Sequence, residues 1–149
     1  MTIEVTEEPM TALPEYARVP IAFTVDRVFD VTNRDDGPGG FVLSERRLEV
    51  PYEKNYDGIA GEGPLQWARR FDLSNWALFT ARLASRIVGG ATVAFDTPGL
   101  TMLEGRRDLA VLWDIRVVPN ARGRAIHRAA YPLLAEEIQL LWYKDLFAN

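Results

Sequence analysis

One stretch constrains the fold of this chain more than any other: LAVLWDIRVVPNARGRA, residues 109–125. Leu109, Val111, Trp113, Ile115 and Val117 recur at every second position, the period of a strand that buries one face. Pro119 has no N–H for a ladder and ends the strand. Asn120, Ala121, Arg122, Gly123 and Arg124 then combine backbone donors with positive charge in a tight turn, a setting that holds phosphate oxygens. An ordinary solvated loop can look the same, so the surroundings must decide.

Upstream, Ile21, Phe23, Val25, Phe29 and Val31 alternate with polar residues as a half-buried strand. The Asp-Gly-Pro-Gly cluster at 35–40 predicts a turn, and residues 41–50 return as the second strand of a hairpin closed by Pro51. After a loop at 52–63, Pro64 opens a short helix carrying Leu65, Trp67, Ala68 and Phe71. Strands follow at 76–83 and 87–95, joined by Ala-Ser-Arg. Residues 1–19 are acidic and broken by proline, which predicts a loosely held arm. No repeat or linker interrupts the rest, so residues 1–149 read as one domain. The final segment is ambiguous: Leu134, Ile138, Leu141 and Asp145 have helical spacing, whereas Ile138, Leu140 and Trp142 alternate as a strand.

Composition narrows the function classes. At 149 residues, 48% of them apolar, the chain can build a real core. A net charge of −4 argues against a general nucleic-acid binder and suits a cationic small molecule. There is no cysteine for a disulfide, thiolate metal site or thiol nucleophile, and a single histidine excludes a histidine-based metal cluster, so no metal is expected. No apolar run suggests a signal peptide or a bilayer span, so the expected compartment is the cytoplasm, with no membrane partner.

Several segments share one resemblance. GEGPLQWARRFDLSNW (61–76), VGGATVAFDTPG (88–99), LEGRRDLAVLWDIRV (103–117) and the turn after them resemble the GNAT superfamily of acetyl-CoA-dependent N-acyltransferases, in its streptothricin-acetyltransferase-like branch. In that family the fourth strand runs into an R/Q-x-x-G-x-G/A turn around the coenzyme's pyrophosphate. Here Ala125 and His127 stand where the pattern asks for small residues after Arg122. Glycine lets a backbone approach a phosphate; an imidazole at the second position obstructs it. Beyond the turn, residues 125–146 resemble the extreme C-terminal strands of the same branch, which makes the strand reading of that segment the expected one.

The resemblance therefore implies an internal deletion of a helix, a strand and a second helix, about 40 residues at ordinary element lengths. The implied fold class is α+β: a GNAT-like mixed, mostly antiparallel sheet with few helices, lacking the coenzyme-binding helix and the one after it. Loss of that cover exposes apolar sheet. At about 25 cal/mol per Å², a few hundred Å² would cost several kcal/mol, so a homodimer is expected.

The implied activity is acetyl-CoA-dependent N-acetylation of a small cationic amine, impaired or lost through the deletion; the alternative is a non-catalytic module that binds a ligand or protein. Deprotonating a lysine-like amine at pH 7 costs roughly 4.6 kcal/mol, so a carboxylate beside it is useful. Asp114 is the first candidate base and Glu104 the second; each has a plainer reading, as a structural carboxylate bonded to a neighbouring arginine and as a solvated loop charge. For the coenzyme, the resemblance implies backbone groups of Val117 and Val118, with Arg122, Gly123 and Arg124 at the pyrophosphate. Tyr56, Trp67 and Trp76 either wall an acceptor pocket or fill the core.

Overall fold

A computed structural model describes residues 3–34 and 39–122. The chain divides into two compact units, one formed by Ala22–Tyr56 and the other by the residues up to Ile21 together with those from Asp57 onward. The expected C-terminal strand, the glycine and second arginine of the turn (Gly123 and Arg124), and Ala125 and His127 lie outside the described residues.

The larger unit is built on an antiparallel sheet of β1 (Ile3–Glu8), β4 (Trp76–Leu83), β5 (Arg86–Phe95) and β6 (Ala110–Val117), in the spatial order β1-β4-β5-β6. Two short helices belong to it, α1 (Leu13–Tyr16) and α2 (Pro64–Arg70). Pro64 occupies the first turn of α2, where its missing N–H has no partner to lose. The fold is thus α+β, a mostly antiparallel sheet with few helices, as the sequence implied.

The central strand β4 is buried on both faces. Trp76 and Leu78 join Leu13, Tyr16, Trp67, Ala94, Leu100 and Leu103 on one face. Ala77 and Phe79 join Ala91 and Val93 on the other. Trp76 is ringed by Trp67, Phe71 and Trp113, with centroids 5.7–5.9 Å away, the spacing of favourable tilted and stacked aromatic pairs.

Among the described residues, 3–19 form no loose arm. β1 pairs with β4 from Ile3↔Leu83 to Glu8↔Leu78, and Leu13, Tyr16 and Val19 are all buried. The acidic composition misleads because β1 is an edge strand, where Ile3 and Val5 are its only apolar residues. Glu8 is held there by Arg82 Nε at 2.8 Å and by the Thr80 hydroxyl at 2.5 Å.

β6 also departs from simple alternation. Asp114 pairs with Thr92, but Leu112 pairs with Val93, so Trp113 is one residue too many for the ladder. The bulge turns Leu109, Val111 and Trp113 to the aromatic core, while Ile115 and Val117 pack on the opposite face. The five residues expected on one face are therefore split three and two.

The smaller unit is a hairpin of β2 (Phe23–Asn33) and β3 (Phe41–Lys54). β3 continues past Pro51, because the pairing slips between Val25↔Tyr52 and Arg27↔Arg47 and Pro51 falls where no ladder N–H is required. Register places Phe29, Val31, Phe41 and Leu43 on one face of this hairpin, each at least 60% exposed. The opposite face carries Asp30 and Arg46, bonded at 2.9 and 3.2 Å.

Candidate functional site

Asp114 and Arg116 lie two residues apart on β6, after the bulge, and so share the face to which α1 brings Tyr16. Gly90, opposite Arg116, makes room: a Cβ there would run into the Phe79 carbonyl and lie 2.8 Å from the Tyr16 ring. The result is a charged cluster inside the protein.

Arg116, whose side chain is 1% exposed, spends all five of its N–H groups. Asp114 accepts from Nε at 2.8 Å and Nη2 at 3.3 Å; Asp57 accepts from Nη1 at 2.9 Å and Nη2 at 3.2 Å; the Val19 carbonyl accepts from Nη1 at 3.0 Å. The Tyr16 hydroxyl donates to Asp114 at 2.7 Å, and its ring lies 5.3 Å from the guanidinium. Burial, reinforced by the adjacent Asp114 charge, pushes the Tyr16 phenol well above its ordinary range, so it stays protonated and donating. Burial works against the charge on Arg116, but the bonds from Asp114 and Asp57 outweigh it and raise its pKa. The cluster ties α1, the segment after β3 and β6 into one body.

This is where the structure places Asp114: its carboxylate faces Tyr16 and Arg116. Glu104 is elsewhere, exposed in a left-handed conformation on the loop that enters β6, beside a cleft formed by residues 96–106 of that loop alone. The two candidate bases are not brought together. Trp67 and Trp76 are buried in the aromatic core with their N–H groups donating to the Glu62 carbonyl and the Thr97 hydroxyl, both at 3.0 Å. Tyr56 is partly exposed and belongs to the smaller unit, its ring 6.3 Å from that of Phe23 and 4.9 Å from the Lys54 ammonium.

The end of β6 gathers the coenzyme candidates. Val118 donates to the Val88 carbonyl at 2.9 Å. Antiparallel alternation then points the N–H and C=O of Val117 away from β5. Its carbonyl accepts Arg122 Nε at 2.9 Å, and Arg122 Nη2 reaches the Pro20 carbonyl at 3.2 Å. Pro119–Ala121 make a single 3-10 turn between them. Next to this turn lies a cleft of about 490 Å³ between the end of α1, the β4–β5 turn and Val118. Among the described residues no group of acidic or histidine side chains is placed to hold a metal, and no helix is long and apolar enough to cross a membrane.

Sequence reasoning missed Tyr16, Asp57 and Arg116. The one local signal was Asp114-Ile-Arg116, two opposite charges at strand spacing inside an apolar run, where charges need partners.

No family model matches the chain, and no curated protein matches it by sequence. Solved structures do match. Nourseothricin acetyltransferase aligns with a TM-score of 0.63 at 21% identity, over 95% of this chain and 69% of that one. A putative streptothricin acetyltransferase from Bacillus anthracis str. Ames, solved in complex with acetyl coenzyme A, aligns with a TM-score of 0.60 at 14% identity, over 97% of this chain and 70% of that one. The chain therefore has the fold of these acetyltransferases.

Proposed function

We propose that this protein is an acetyl-CoA-dependent N-acetyltransferase of the GNAT type, acting on a small cationic amine. The observation that carries the reading is the coincidence of two independent likenesses: the fold is that of acetyltransferases, and the fourth strand of its sheet runs into the Arg-bearing turn that the sequence singled out. The residues fit an acyl thioester. Val117 turns a backbone N–H away from β5, at the strand edge where a donor can meet an acyl carbonyl oxygen. The acceptor amine must lose a proton, and the role of Asp114 in this reading is to hold β6 in position through Arg116. It acts as a positioning residue, since its own carboxylate is enclosed.

The test is calorimetric titration with acetyl-CoA, followed by an acceptor screen over small polyamines and streptothricin-type compounds. Saturable micromolar binding and acetylation of an amine are the expected results. Absence of heat at millimolar coenzyme would sink the reading.

The second reading is a GNAT-fold module without turnover. It is favoured by the enclosure of Asp114 and by Ala125 and His127, which stand where the family's turn has small residues. Coenzyme binding without acetylation of any amine would select it. In either reading the protein is proposed to pair with a second copy, which would cover the apolar hairpin face of Phe29, Val31, Phe41 and Leu43. Elution at monomer mass at micromolar concentration would count against pairing.

A further inference from the structure

The arginines of the larger unit fall into two groups around the end of β6. Arg116 is spent on carboxylates and a backbone carbonyl, and Arg122 commits two N–H groups to backbone carbonyls, as described above. Arg82 bonds Glu8 and Glu15 and donates to the Ser85 carbonyl at 2.8 Å. Arg18 and Arg86 differ: among the described residues neither guanidinium bonds any other side chain or carbonyl, and both line the cleft of about 490 Å³ beside the turn.

We propose that this cleft binds phosphate oxygens through Arg18 and Arg86, and that its ligand is the phosphate-bearing end of the acyl donor. The proposal rests on the acyl-transfer reading. Its chemistry follows from two guanidinium groups that line one cleft and have no protein partner among the described residues. Arg122 gives two of its five N–H groups to the carbonyls of Val117 and Pro20, which anchors its guanidinium against the backbone next to the cleft. The end of α1 and the start of β5 add positive charge beside it through Arg18 and Arg86.

The remaining walls suit the same ligand. Val19 and Ile87 are buried apolar residues that contribute to the cleft beside Val118, a surface for a ring or an alkyl arm. The acid that lines it, Glu15, has both oxygens bonded to Arg82, at 3.2 and 3.0 Å. The volume lies within the ordinary range of small-molecule sites, and guanidinium groups bind phosphate in a fork that an ammonium cannot copy. Arg86 follows directly on Ala84 and Ser85, both left-handed at φ 48° and 69°, a tight turn that fixes where the arginine leaves the sheet.

The experiment compares the intact protein with an Arg18→Gln/Arg86→Gln variant by calorimetry. Both side chains are exposed, and an unchanged melting midpoint certifies the fold. Affinity for acetyl-CoA is expected to fall at least about tenfold, with a flatter salt dependence, while affinity for S-acetylpantetheine, which has no phosphate, stays the same. Equal acetyl-CoA affinity in both proteins would overturn the proposal and leave the acyl-transfer reading standing. If the intact protein ignores acetyl-CoA, the acyl-transfer reading fails, and ADP decides the cleft. Salt-sensitive ADP binding that the variant loses keeps a phosphate site there; no ADP binding removes it.

Discussion

The protein contains the same Arg–Asp pairing in two settings. Arg46 and Asp30 on the hairpin meet in a two-pronged bond at 2.9 and 3.2 Å, with both side chains about half exposed. Arg116 and Asp114 meet in a similar fork at 2.8 and 3.3 Å, with the arginine 1% and the aspartate 8% exposed. Geometry barely separates them; solvent does. On the hairpin, water would solvate either partner left alone. In the core nothing would, so Arg116 and Asp114 each depend on the other.

Removing the buried cation should break the comparison most sharply. Arg116→Ala leaves Asp114 charged and enclosed, an expected loss of about 3–5 kcal/mol in denaturant unfolding. Adding Asp114→Asn should recover part of that loss, and strict additivity of the two substitutions would show that the pair is not coupled. Gly90→Ala tests the same cluster by volume alone: displacing the Tyr16 ring and the Phe79 carbonyl should cost about 1–3 kcal/mol by thermal melting. Tyr16→Phe keeps the packing and removes one donor to a charged acceptor, with about 1.5–3 kcal/mol expected.

Acid titration sharpens the contrast further. Bonds from Arg82, joined by the Thr80 hydroxyl, outweigh burial and hold the Glu8 carboxyl below the usual glutamate range. Its native pKa lies under its unfolded one, so its contribution is present above the ordinary glutamate range and is lost as pH falls through the lowered value. Melting curves of the protein and a Glu8→Gln variant should therefore converge at acid pH and diverge near neutrality. Asp30 is lowered in the same direction by its bond with Arg46 and carries the same sign. Because that pair is open to water, Asp30→Asn should scarcely move the midpoint, and added salt should erase what remains.

How much was legible beforehand differs element by element. The hairpin, the helix opened by Pro64, the strands β4 and β5 and the strand ending at Pro119 all announced themselves, because each is written in local periodicity or in proline placement. The first nineteen residues did not: an edge strand shows few apolar side chains, and the burial of Leu13, Tyr16 and Val19 depends on a sheet formed from residues far along the chain. The candidate site was readable in part. Val117, Val118 and Arg122 do meet at the end of β6, but Arg122 turns out to brace backbone carbonyls. The partners of Asp114 come from positions 16 and 116, and Arg116 in turn reaches Asp57, a combination that no spacing rule reaches.

By itself the sequence determined the hairpin, the strands β4, β5 and β6, the turn that begins at Pro119 and the absence of cysteine chemistry, since these follow from which residues can or cannot make a ladder, a turn or a thiolate. Only the tertiary structure decided which face of β6 each residue would occupy. A single extra residue at Trp113 reverses the alternation, so Asp114 and Arg116 come to lie on the face of Tyr16 instead of the opposite one. A side-chain period of two carries no memory across a bulge, and whether a bulge forms is settled by the pairing with β5, not by the strand's own sequence.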